Sequence, residues 1–352
     1  MKLLVHLVTW NGNKYIPFLF DSLKKQTFKD WKLMILDNAS ADDTVSKIKK
    51  ELENFPFEHE LIINKENRGF AGGHNQLNAE YRMQNIEYIL LLNQDMYLMD
   101  DCLEKLVTFM DGHSDVAAVS PRLMKWNYNS LQLTANSLQE SFTNQIDSLG
   151  LKVFRNRRVI EKYAGKIWED KKSKLELSHH TNDEAMEVFG VSGALPMYRK
   201  SMIDEVGLFD ESFGSYKEDV DLAYRIRSAG YKAYILLDTI AYHDRAAAGP
   251  VDLNDKTAFE NKMKQTEWVK YYSYKNHLMT LIKNEYWQNY LLDLPWIKWY
   301  ELKKFVYFLL FDRSVLKGLG EIFKRLNDLK IKRLEIIRKR KVGWREIRKW
   351  WK

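Results

Sequence analysis

Five short apolar runs separated by four segments of helical spacing fill the first 120 residues of this 352-residue chain. The runs are Leu3 to Thr9, Trp31 to Leu36, Glu60 to Ile63, Tyr88 to Leu92 and Val116 to Ser120. Between them, Tyr15 to Lys25, Thr44 to Leu52, Ala71 to Met83 and Cys102 to Met110 repeat apolar residues at three and four. Strands alternating with helices of this length predict an α/β fold with a mostly parallel central sheet. Such sheets bind ligands beyond the carboxyl ends of their strands. Polar clusters stand at those ends: Thr9-Trp10-Asn11, Asp37-Asn38, Asn67-Arg68-Gly69 and Asn93-Gln94-Asp95.

From Arg122 to Glu187 the pattern loosens into a polar stretch, which predicts an insertion (122–187) of the kind that shapes a substrate cleft. Order returns at Val188 to Leu195, followed by a helix, a loop over Gly207 to Ser215, a helix from about Glu218 to Ala229 and a strand over Ala233 to Leu237. The domain expected from this runs over 1–250, with a helical linker over 251–300 and a separate tail over 301–352. With 45% hydrophobic residues the chain is too apolar to be disordered. Its one cysteine, Cys102, excludes an intrachain disulfide framework. The opening apolar run ends at Asn11-Gly12-Asn13-Lys14 without a small-residue cleavage site, so it reads as the first strand of a cytoplasmic protein. Nothing reaches the roughly 18 apolar residues of a membrane-spanning helix.

Charge is unevenly spread. From Glu301 to Lys352 there are 17 Lys and Arg against 6 Asp and Glu, so the tail carries +11 and the first 300 residues −4 of the net +7. There Leu319, Ile322, Phe323, Leu326, Leu329, Ile331, Leu334 and Ile337 recur at helical spacing among the cations, and Trp344, Trp350 and Trp351 follow. Basic amphipathic helices with tryptophan suit an anionic membrane surface. A hairpin folded back on the main domain is the alternative. No nucleic-acid module accompanies the basic residues, and nucleic acid is not expected as a partner.

Four groups carry chemistry. Asp37 and Asp95 follow buried strands, where a carboxylate accepts from a nucleoside or holds a hard cation, or caps the next helix. Asn67-Arg68-Gly69-Phe70-Ala71-Gly72-Gly73-His74-Asn75 joins glycines at a helix start to a cation, a phosphate-binding combination or a turn entering a helix. Glu218-Asp219-Val220-Asp221 puts three carboxylates in the first turn of a helix, available for general-base work. There Asp221 and Glu218, three apart, share a face from which Asp219 departs. His243 offers a nitrogen that could join a carboxylate on a metal.

In this order, Val8-Thr9-Trp10-Asn11-Gly12, Ile35 to Thr44, Asn67 to Asn75, Leu92-Asn93-Gln94-Asp95, Ser192-Gly193-Ala194 and Glu218 to Leu222 resemble family 2 glycosyltransferases, in particular their rhamnosyltransferase-like branch. The resemblance covers about residues 3 to 250. It implies a GT-A fold and inverting transfer of a sugar from a UDP- or dTDP-sugar to a glycan acceptor. Carried over, Thr9, Asn11 and Asp37 line the nucleoside pocket. Asn67, Arg68, Gly69, Gly73 and Asn75 approach ribose and diphosphate. Asn93 and Asp95 belong to the donor site, with Asp95 and His243 holding Mg²⁺ or Mn²⁺. Ser192, Gly193 and Ala194 lie on the acceptor side, and Asp219 is the base with Glu218 beside it.

Two positions depart from the family pattern. Asn93 replaces the first of two metal-binding aspartates, and Gln94 replaces the proline usual in the branch. Beyond His243 the expected glycine-rich loop reads Asp244-Arg245-Ala246-Ala247-Ala248-Gly249, where Arg245 could contact the diphosphate. The expected setting is the inner face of the cell membrane, with a lipid-linked acceptor. Rivals are a sugar nucleotidyltransferase and an inactive membrane-bound scaffold.

Overall fold

The computed structural model describes residues 1–81, 85–128, 138–171, 181–182, 185–245 and 255–351. Its α/β part runs β1 Leu3–Thr9, α1 Ile16–Lys24, β2 Trp31–Asp37, α2 Thr44–Leu52, β3 Glu58–Ile63, α3 Gly69–Glu80, β4 Tyr88–Asn93, β5 Met96–Leu98, α4 Cys102–Gly112 and β6 Val116–Trp126. The insertion then supplies β7 Phe142–Ser148, β8 Leu151–Val153, β9 Val159–Glu161, β10 Thr181–Asn182 and β11 Ala185–Glu187. After it come β12 Met197–Arg199, α5 Lys200–Val206, α6 Glu218–Ser228 and β13 Lys232–His243.

The main sheet has the order β10-β11-β13-β6-β12-β4-β1-β2-β3. Strands β4, β1, β2 and β3 are parallel, as are β6 and β13; β12 is antiparallel to both of its neighbours and joins the two halves. Alternation along β1 and β4 sends Leu3, Val5, Leu7, Tyr88, Leu90 and Leu92 to one face and Leu4, Ile89 and Leu91 to the other. Helices α1, α2 and α4 cover the first face, and α3, α5 and α6 cover the second. Each fully buried aliphatic side chain in these layers contributes about 1.5–3 kcal/mol.

The insertion is more ordered than its polar composition suggests. β7 extends the sheet as the antiparallel partner of β6, and β8–β9 forms a separate hairpin. Residues 129–137, 172–180 and 183–184 of the insertion, including His179 and His180, lie outside the described residues, as does Ala246 to Gly249.

The chain continues with helices α7 Asp255–Lys264, α8 Glu267–Asn284, α9 Trp287–Phe311, α10 Lys317–Lys324, α11 Leu326–Lys339 and α12 Trp344–Arg348. They fold back onto the α/β part. Ile322 and Leu329 pack with Met279 of α8 around Phe213, while Phe323, Ile331, Leu334 and Ile337 stay exposed. Trp350 and Trp351 pack against Leu151, Val153, Phe189 and Tyr224. Arg227 stacks over Trp350 and Arg157 over Trp351, 4.2 and 3.8 Å from the ring centres. Among the described residues no helix is long and apolar enough to cross a membrane.

Candidate active site

Register builds the site. β1 and β2 pair with their last residues, Thr9 and Asp37, side by side. Thr9 Oγ1 therefore donates to Asp37 Oδ1 at 3.0 Å, and the backbone N–H and hydroxyl of Ser40 also donate to the Asp37 carboxylate, at 2.9 and 2.6 Å. Asp37 is fully buried. Asn11, at φ 47°, accepts from the Ala41 N–H at 2.8 Å, which ties the end of β1 to the loop after β2. Gln94, where the branch has proline, holds both backbone groups of Trp10: its amide accepts from the Trp10 N–H and donates to the Trp10 carbonyl, at 2.9 and 3.1 Å.

The glycines of the Asn67 to Asn75 segment serve close packing. Gly69 has φ +72°, and a Cβ there would lie 2.8 Å from the Gly214 carbonyl oxygen. A Cβ on Gly73 would lie 3.0 Å from Val8. Asn67 accepts from the Gly69 N–H at 2.7 Å, and Asn75 exchanges two hydrogen bonds with the backbone of Phe209, at 2.9 and 3.1 Å. Arg68 reaches Gln76 and Glu211 at the surface, at 3.2 and 3.6 Å.

On the other half of the sheet, β5 runs antiparallel to β13 with Met96 opposite His243. That register sets Asp95 beside the histidine, Oδ1 to Nε2 at 3.3 Å, just past Asn93 at the end of β4. His243 Nδ1 faces Asp147 Oδ2 of β7 at 2.9 Å. Burial alone would lower the His243 pKa, but the charges of Asp95 and Asp147 and their hydrogen bonds raise it to about 9. Arg245 then binds Asp147, donates to Glu161 of β9 at 3.1 Å and to the Ser192 hydroxyl at 3.2 Å. Each of its three guanidinium nitrogens thereby has a protein acceptor.

Ser192 leads to the third group. The neighbouring Gly193 N–H donates to Asp219 Oδ2 at 3.2 Å, and Val220 N–H donates to Oδ1 at 2.7 Å. Asp219 sits in the first turn of α6, which starts after two left-handed residues, Tyr216 and Lys217. Glu218 is buried beside it, and its Oε2 has no hydrogen-bond partner among the described residues. Burial, followed by the Asp219 charge, pushes the Glu218 carboxyl up to about 8. Asp221 does not share this pocket: it is held by Arg225, Lys283 and Asn284 and anchors α6 to α8.

Asp95, His243, Ser192, Gly193 and Asp219 thus belong to one chain of contacts through Asp147 and Arg245, with Ala194 following Gly193. Thr9, Asn11 and Asp37 form a second cluster, joined to Asp95 by sequence through Gln94 and its hold on Trp10. Asp147 and Glu161 were not singled out by sequence reasoning. Phe142 and Ile146 of β7 and Val159 and Ile160 of β9 were their only apolar signal, within a stretch that otherwise reads as loop.

Residues 4–207 match the family described as glycosyl transferase family 2. The chain belongs to this family. Among curated relatives, the O-antigen chain rhamnosyltransferase RfbN of Salmonella typhimurium is 24% identical over 244 residues, 69% of this chain and 66% of the relative. The poly(ribitol-phosphate) beta-N-acetylglucosaminyltransferase TarS of Staphylococcus aureus is 27% identical over 122 residues, 34% of this chain and 21% of the relative. The matches span less than two thirds of either relative's length. In fold, the family 2 chain is similar to the mannosyltransferase PcManGT from Pyrobaculum calidifontis, solved with GDP-Man and Mn²⁺. The TM-score is 0.51 at 15% identity, covering 96% of this chain and 85% of that one. It is also similar to GalNAc-T7, solved with UDP, GalNAc and Mn²⁺, with TM-score 0.54 at 13% identity, covering 80% of this chain and 51% of that one. The fold is GT-A. Glu218, Asp219 and His243 lie beyond the matched family stretch.

The fit of a divalent cation can be tested on the donor set. Among the described residues no group of three or more His, Cys, Asp or Glu could hold a metal. Asp95 and His243 nevertheless face each other, with Asp147 orienting the far nitrogen of the imidazole as metal-bound histidines require. Two protein donors fit an ion that completes its shell with diphosphate oxygens.

Proposed function

We propose that this chain transfers a sugar, with inversion, from a UDP- or dTDP-sugar to a hydroxyl of a cell-surface glycan. The supporting observation is the continuous set of contacts from Asp95 through His243, Asp147, Arg245 and Ser192 to Gly193 and Asp219. These contacts link Asp95 and Asp219, to which this reading gives the donor-side and acceptor-side roles.

In this reading Thr9, Asn11 and Asp37 receive the nucleoside, and the Asn67 to Asn75 segment shapes the wall near ribose and diphosphate. Asp95 and His243 would hold Mg²⁺ or Mn²⁺, which offsets charge developing on the leaving diphosphate. The acceptor oxygen bonds to the anomeric carbon from the face opposite the diphosphate, the bond to the diphosphate oxygen breaks, and the hydroxyl proton passes to Asp219. Burial and the Asp219 charge favour the protonated form of the Glu218 carboxyl beside it. Asp147 and Arg245 position His243, Glu161 and Ser192. The acceptor is lipid-linked in this reading, and the enzyme works at the inner face of the cell membrane.

The test is release of nucleoside diphosphate from UDP- and dTDP-sugars with Mn²⁺ and a glycan acceptor. Asp219→Asn is expected to lower turnover by about 10²–10⁴ with donor binding retained. Full turnover in that variant would remove Asp219 from the base role. Release of pyrophosphate would favour a nucleotidyltransferase, and no turnover with any donor would favour the inactive scaffold.

A further inference from the structure

Helix α9 is inverted in polarity relative to an ordinary surface helix. Its protein-facing side buries Asn289 and Asp293, both fully, together with Ile297, Tyr307 and Phe308. Its outward side carries Trp287, Leu291, Trp299, Leu302, Val306 and Leu310 at spacings of three, four or eight, between 43 and 65% exposed. Successive steps of 100° put these six within one half of the helix circumference, and Leu292, Trp296, Phe305 and Leu309, also exposed, fall in or beside the same half. Over 25 residues the stripe is about 37 Å long. At its C-terminal end Phe259 of α7 meets Phe311 with ring centres 5.8 Å apart, and exposed Phe259 and Met263 continue the apolar surface.

Charge on this helix is sorted to match. Its two acids are both engaged inward: Asp293 by Arg155, Arg157 and Arg348, and Glu301 by His277 and Lys304. The exposed charges on α9 are Lys298 and Lys303, and Arg313 and Lys317 follow its end. An apolar stripe with several tryptophans and exposed lysines, and no exposed acid, complements an anionic lipid surface. It is too amphipathic to span, in keeping with the lack of a crossing helix among the described residues.

We propose that the outer face of α9 is the membrane-docking surface, lying in the plane of an anionic bilayer, rather than the Trp344 to Trp351 segment, whose Trp350 and Trp351 pack on the protein. The contact stands apart from the sugar-transfer reading, and only the lipid-linked acceptor rests on that reading. Asp293, on the inner face of α9, binds Arg155 and Arg157, two of the three arginines of the β8–β9 turn, and β9 carries Glu161. Docking would therefore orient the acceptor-side hairpin against the bilayer.

The experiment is sedimentation of the full chain with vesicles of equal parts phosphatidylcholine and phosphatidylglycerol. Leu291→Gln, Trp299→Gln and Leu310→Gln combined are expected to reduce vesicle binding at least about tenfold. Phe323→Gln with Leu334→Gln, on the exposed face of α10 and α11, is expected to leave binding within about twofold. Donor turnover with a soluble acceptor should be equal in all three proteins, which separates loss of docking from loss of the transferase. Equal pelleting of the α9 variant and the unmodified chain would overturn the proposal. So would a lipid-independent dimer that the α9 substitutions convert to monomer, since a second copy would then cover the stripe.

Discussion

Arg245 grips Asp147 in a two-pronged fork, Nε to Oδ1 and Nη2 to Oδ2, each at 2.9 Å. The same carboxylate meets His243 Nδ1, so one acid from the insertion orients both the imidazole and the guanidinium. Although burial opposes ionisation of Asp147, these two cations hold its pKa well below the usual carboxylate range.

Asp147→Asn should therefore act through its neighbours. The Mn²⁺ concentration for half-maximal turnover is expected to rise about 10–100-fold, the range for loss of a partner that orients a metal-bound histidine. A metal titration of turnover checks this, and a fall in Tm with an unchanged Mn²⁺ requirement would reduce Asp147 to a purely structural role.

Glu218 carries a pH signature. Its folded pKa, about 8, lies above the ordinary carboxylate value, so the folded state binds a proton that the unfolded chain releases. Stability from this group falls as pH rises from about 4.5 to 8 and is level above. Glu218→Gln should thus raise Tm relative to the unmodified chain at pH 9 and leave it nearly unchanged at pH 4.5, as read by thermal melts across that range.

Gly69→Ala tests the packing role of the glycine segment. The left-handed backbone and the Gly214 carbonyl 2.8 Å from the added methyl predict a loss of about 1–3 kcal/mol. Urea melts measure it.

Asp293→Asn removes the charge that three arginines share. Asp293 and Arg157 are both fully buried, and breaking a buried pair costs about 3–5 kcal/mol because a cation is left uncompensated. Glu285, bound to Arg157 at 2.7 Å, should keep the loss toward the lower end in urea melts.

The α/β part was legible because its central strands β1, β2 and β4 are buried on both faces. Leu90 to Leu92 and Leu33 to Leu36 can be little else than interior strands, and polar residues at their ends mark the ligand edge. Asp95 and His243 could be named from sequence, but their adjacency comes from the β5–β13 register, which no local pattern records. Asp147 and Glu161 stayed hidden because they lie on short, mixed-polarity strands of the insertion, stabilised by Arg245 from about 85 to 100 residues away. The inverted polarity of α9 was hidden for a related reason. Asp293 and Glu301 read as solvent-facing until their partners from other segments are known.

The clamp on Arg157 also has a consequence in time. Arg157 and Asp293 are 136 residues apart, and Arg348 lies a further 55 beyond. During synthesis the turn leaves the ribosome on the order of ten seconds or more before the carboxylate that locks it. The α/β part of the molecule can thus assemble early, while the β8–β9 turn that carries Arg157 is fastened only once α9 and α12 have emerged.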